Sequence, residues 1–297
     1  MTPMRSSAEP TGGIPTQAPG RLRAVTIVAH LTFIEARRRR ILAAALLFGA
    51  AFVVLFGIGL HFMARDIRAN APPAQQAMFL NLVTLTALYA ANFLIVMTSV
   101  LVTIDTLAGE IGSGVIETLC TKPVSRAAVG LGKWLGCWLT FVLYALVLCG
   151  GVLAVARLVG GSTPPNAGRG ILLILLEGTV LLTLALVGGT RLSSLANGVT
   201  VFGLYGLAFV GGWMEQIGTM VGNASARYIG ITASLLVPSE SLWQLAAYQM
   251  QPPIARDVQI GPFLSASVPS PAMVGWAIGY VLVALVVASH LFRTRDL

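Results

Sequence analysis

The chain has 297 residues, of which 56% are hydrophobic and only 10% charged, with a mean hydropathy of +0.82. Soluble domains carry about 25% charge, so this composition excludes a water-covered globule of this size. The formal net charge of +8 sits mainly in arginines beside apolar runs, which is the signature of membrane orientation rather than nucleic-acid binding.

Residues 1–20 are rich in Pro, Gly, Ser and Thr and read as a disordered tail. They do not form a signal peptide, because the first long apolar run begins only after Arg40. Over residues 21–40, Leu22, Val25, Val28, Ala29, Thr32 and Phe33 recur at three- and four-residue spacing. That spacing predicts an amphipathic helix lying at the membrane interface. Arg37 to Arg40 follow it, and each such charge beside anionic lipid contributes about 1 kcal/mol.

Residues 41–297 read as one six-span helical domain. Unbroken apolar runs predict spans over Ile41–Phe62, Leu82–Ile104, Trp134–Ala156, Ile171–Gly188, Val199–Gly218 and Ala272–Phe292. Each has about 20 residues, enough to cross roughly 30 Å of hydrocarbon. Barrel strands would alternate with period two, so the fold class is an all-α membrane protein. A polar loop with two prolines is expected over Met63–Gln76, and a large external segment over 219–271. Within that segment Ser239 is expected to cap a short helix with Glu240 in its first turn. Leu242, Trp243, Ala246, Ala247 and Met250 form its apolar side, and it is expected to lie on the outer face or over the bundle.

Six spans put both termini on one side. Thirteen of the nineteen lysines and arginines fall on the side holding the termini and residues 105–133. By the positive-inside rule that side is the cytoplasm.

Several chemical motifs fail on inspection. Gly132-Lys133 resembles the end of a phosphate-binding loop, but Ala127 stands where its first glycine belongs and Trp134 replaces the Ser or Thr. Ser113 has no nearby histidine to act as its base; the three histidines are His30, His61 and His290. Cys120, Cys137 and Cys149 form no CxxC pair and read as structural. The chain thus offers no catalytic, cofactor or metal site.

Two places do invite function. Glu177 is an acid well inside the fourth span, where an uncompensated charge costs on the order of 3 kcal/mol or more. It is a candidate for a substrate path or a partner for Arg157, or else it makes an interhelical hydrogen bond; Glu215, beside Trp213, reads as an interface anchor. The second place is the polar stretch 105–133. Glu110 and Glu117, seven apart, share one side of a helix; Gly112 and Gly114 weaken it; Pro123 ends it; and Ser125 can cap the helix leading into the third span. Such a short charged helix between two spans can transmit a rigid-body push.

That stretch also carries a family likeness. Glu110, Gly112 and Gly114 precede Glu117-Thr118-Leu119, then come Thr121-Lys122-Pro123-Val124-Ser125-Arg126 and Leu131-Gly132-Lys133. The pattern resembles the segment after the second span in type-2 ABC exporter permeases, including those named for copper-enzyme maturation. Val115 and Ile116 stand where that family usually has Thr-Leu. The N-terminal amphipathic helix, the six spans and the large segment before the last span extend the likeness over most of the chain.

The resemblance implies a permease subunit of an ATP-driven exporter in the bacterial inner membrane. It implies a second permease half, identical or not, and two separate ATPase subunits that carry the ATP and Mg. It also implies that Glu110, Gly114, Glu117, Thr118, Lys122, Pro123 and Arg126 form a coupling helix docking on an ATPase. The touching face is either Glu110 and Glu117 or Lys122 and Arg126. Two rival functions remain: an ion-coupled secondary transporter and a non-transporting membrane anchor or signalling subunit. The substrate is not encoded in these residues.

Overall fold

In a computed structural model the described residues are 21–112, 125–252 and 267–294. Among them there is no strand, and six helices are long and apolar enough to cross a membrane. The chain is an all-α membrane protein with six spans. In order, the helices are α1 (Arg21–Arg38), α2 (Arg40–Asn70), α3 (Pro73–Gly112) and α4 (Arg126–Val155), the last followed by a π turn (Ala156–Gly160). Then come α5 (Ala167–Gly189), α6 (Ser194–Val221), α7 (Ala224–Leu236), α8 (Ser239–Met250) and α9 (Ala272–Arg293).

Helix α1 forms where the periodicity places it, but its buried face is narrower and shifted. Ala24, Ala29, Thr32 and Ala36 are buried, whereas Leu22 is 85% exposed. The cause lies on α4. A Cβ at Gly132 would stand 2.6 Å from the Val28 Cβ, and one at Gly136 would stand 2.7 Å from the Ala29 carbonyl oxygen. These two glycines, one turn apart, form a groove that admits only a small-residue face. Arg39, in extended conformation, breaks the chain between α1 and α2, and its Nη2 donates to Glu35 Oε1 at 2.7 Å.

The loop expected at Met63–Gln76 is not a loop. Helix α2 continues to Asn70 and α3 starts at Pro73, leaving only Ala71 and Pro72 between them. Falling hydropathy marks where a helix leaves the membrane, not where its hydrogen bonds stop. The break falls where proline dictates: Ala71 is extended before Pro72, and Pro73 opens α3. Arg68 Nη2 donates to the Val159 and Gly160 carbonyls at 2.9 and 3.3 Å, tying the end of α2 to the π turn.

Helices α3 and α5 make the centre, with 67% of an apolar 18-residue stretch of each buried against 11% for α2. Phe141 of α4 lies on Gly178 of α5, so closely that a Cβ there would collide with the ring.

The segment 219–271 departs most from expectation. Helix α7 runs back along α6, burying Gly230, Ala233 and Ser234 and leaving its other side exposed. Arg227 lies beside Gly218, Gly230 beside Glu215 and Ala233 beside Gly211. Gly211 is ten residues before the end of α6, so the return reaches about 15 Å into the bundle. After Val237 and Pro238 the chain turns, and α8 climbs out from Glu240, packed on Gly212, to Met250, packed on Gly170 of α5. The pair α7–α8 is a re-entrant hairpin. The expected apolar side of α8 is buried, and so are Ser239, Glu240, Ser241 and Gln244. Ser239 does not cap: Pro238 occupies the N-cap position, and Ser239 begins the helix with its hydroxyl buried and without a partner.

Candidate functional site

Glu110 stands in the last turn of α3. Gly114, Glu117, Thr118, Lys122 and Pro123 lie outside the described residues, as does Cys120. Ser125 caps α4 as expected, its side chain accepting from Ala128 N at 3.3 Å. Arg126 opens α4 and lines a cavity of about 500 Å³ with Leu22, Val25, Leu131 and Arg293. Helix α1, the start of α4 and the end of α9 therefore meet beside the undescribed part of the polar stretch.

Glu177 is buried at mid-bundle on α5. Arg157 is not its partner, since that guanidinium donates to the Gly161 carbonyl at 3.2 Å. The interhelical hydrogen bond is present instead: Asn92 Nδ2 of α3 donates to Glu177 Oε2 at 3.0 Å. Glu177 Oε1 and Asn92 Oδ1 are both buried without a partner. No described lysine or arginine stands within ion-pair distance of this carboxylate.

A second buried acid is within electrostatic range of the first. Glu240 of α8 acts electrostatically on Glu177, and both act on Tyr205 of α6 and Tyr89 of α3. Burial pushes the Glu240 carboxyl up to about 8, against the opposing effect of a hydrogen bond from Gln244. Trp213 hydrogen-bonds Tyr89, whose ring also packs on Trp243 at 5.1 Å between centroids. Four helices thus place polar groups around one point.

Asn92, Tyr89 and Tyr205 also line a groove of about 730 Å³ between α2, α3 and α6. The rest of its wall is apolar and aromatic, with Phe52, Phe93, Phe202 and Phe209. Large, apolar and carrying few polar groups, it has the character of a small-molecule pocket. Glu177 stands one side chain behind it, joined through Asn92.

Glu177 is visible in the sequence, but its setting is not. Asn92 and Glu240 lie 85 and 63 positions away, beyond any local pattern. The signal available was an amide in mid-span. Glu215 likewise is no interface anchor: it is buried and accepts from Ser267 Oγ at 2.6 Å, while Gln216 holds the Ser267 backbone with two further bonds of 3.0 Å.

Comparison with protein-family models gave no match to this chain, and comparison with curated proteins gave none.

Proposed function

We propose that this chain is the membrane-spanning permease subunit of an ATP-binding cassette exporter. It works with a second permease half and with two separate ATPase chains that bind ATP and Mg. The bacterial inner membrane is its location, with both termini in the cytoplasm.

One observation carries the reading. The polar stretch is held between the ends of two helices that are themselves spans. Helix α3 runs unbroken for 40 residues from Pro73 to Gly112, about 60 Å and twice the hydrocarbon thickness. Helix α4 begins at Arg126 under its Ser125 cap and continues for 30 residues. A push on residues 113–124 is delivered to the bundle through continuous helix on both sides. Because α1 is locked on Gly132 and Gly136, it moves with α4. The aromatic groove beside α3 supplies a place for an apolar cargo.

The test is recovery of a complex. A partner ATPase co-expressed with this chain is expected to co-purify and to hydrolyse ATP in a manner dependent on it. Glu117→Arg is expected to abolish that recovery while membrane insertion stays intact. Full recovery with the variant overturns the coupling role.

The buried acids favour a second reading, ion-coupled secondary transport. Transport that survives loss of the ATPase but collapses with the ion gradient selects it.

A further inference from the structure

The count of donors and acceptors around Glu177 does not balance. Glu177 is 0% and Asn92 2% exposed. One amide N–H is spent on Glu177 Oε2, and two acceptors, Glu177 Oε1 and Asn92 Oδ1, are left without a donor. Buried acceptors normally have partners, and leaving both empty beside a second buried acid is costly. The groups that face the site are Tyr89 from α3, Tyr205 from α6 and Glu240 from α8, and none of them is a cation. From α4 the neighbour at this level is Phe141, packed on Gly178.

We propose that Glu177, Asn92 and Glu240 form a proton-binding site in the centre of the bundle, with Glu177 and Asn92 closing an acid–amide pair. One proton on Glu177 Oε1 repairs both orphans. The new O–H donates to Asn92 Oδ1 while Asn92 Nδ2 continues to donate to Oε2. The proton comes from water entering the groove that Asn92 lines; an O–H bond forms at the carboxylate and no electron moves. Glu240 sets the site's second acid against the first, and two carboxylates sharing a dry site do not both stay ionised.

A proton fits better than a metal cation. Alkali and alkaline-earth ions are held by oxygen, yet the Asn92 atom directed at Glu177 is a nitrogen donor. Nor does Glu177 itself border the groove. The proposal does not depend on which energy source drives the chain.

The experiment uses the full chain in lipid nanodiscs with ¹³C-labelled glutamate, and reads the infrared stretch of protonated carboxyls while pH is varied. At neutral pH the wild type is expected to show a protonated-carboxyl band that Glu177→Gln reduces and that Glu177→Gln combined with Glu240→Gln removes. The glutamine keeps the fold, because its own amide supplies the missing donor to Asn92. A second variant, Asn92→Leu, leaves the acid without its acceptor and is expected to shift the band. Absence of the band in wild type, an undiminished band in Glu177→Gln, or no shift in Asn92→Leu overturns the proposal. Melting stabilised by Na⁺ or K⁺ in wild type but not in Glu177→Gln also overturns it, by making a metal ion the occupant.

Discussion

The two ends of this bundle handle charge in opposite ways. At the end holding α1, most of the arginines stay outside: Arg37, Arg38 and Arg40 are exposed, although Lys133 is buried on α4, and the contact between α1 and α4 is made by small residues at backbone distance. Toward the other end the charges that matter are acids taken inside. Glu177, Glu215 and Glu240 are all buried, and two of them lie on or against the re-entrant hairpin. The α1–α4 contact at the first end is held by shape, which is indifferent to pH and salt. The second end is held partly by polar groups whose strength depends on their protonation.

Changes at each end should therefore fail differently. The largest effect is expected at Glu240. Its folded-state pKa, about 8, lies above the ordinary glutamate value, so the folded protein binds the proton more tightly than the unfolded chain. Stability is then complete below about pH 4, declines as pH rises toward 8, and is flat above that. The loss across that window is on the order of 5 kcal/mol. Melting of the detergent-solubilised protein should fall over this range in wild type and have a shallower slope in Glu240→Gln. An unchanged slope would place the pH dependence elsewhere.

Next comes shape at the other end. Gly136→Leu must displace the α1 backbone, since the first obstacle is the Ala29 carbonyl. A loss of about 3 kcal/mol is expected, at the upper end of overpacking costs, and it should be the same at pH 5 and pH 8. A cysteine placed at the buried Thr32 should label rapidly in this background and slowly in wild type. A penalty that varies with pH would mean that protonation also governs this end. The smallest effect belongs to Ser125→Ala, which removes the α4 cap and should cost about 1 kcal/mol, seen as faster hydrogen exchange confined to the first turn of α4.

Much of the architecture was legible because burial in lipid leaves a long apolar run that needs no tertiary knowledge to read. The six spans, the α1 periodicity and the Ser125 cap all follow from local sequence. Helix ends were less legible: hydropathy falls after Phe62, but nothing in Met63–Asn70 breaks a helix, so α2 continues until Pro72. The hairpin α7–α8 was hidden for another reason. Ser239, Glu240, Ser241 and Gln244 look like surface residues until α5 and α6 close around them. Which helices do so depends on Gly211, Gly212 and Gly230, whose role is visible only once packed. The site around Glu177 was half legible, since a mid-span acid announces itself but its partners come from helices far along the chain. The residues proposed for coupling, Gly114 to Pro123, lie outside the described residues.

Helix α3 has a geometric property that bears on all of this. Asn92 stands at the middle of its length, 19 residues from Pro73 and 20 from Gly112. A stiff rod that tilts moves its ends and hardly moves its centre. A rotation of about 10° about Asn92 carries Gly112 sideways by about 5 Å, because that end is about 30 Å away. The Asn92 amide stays in place but turns. A hydrogen bond with one donor and one carboxylate oxygen is sensitive to angle, so the contact at the fulcrum registers how far the rod has swung.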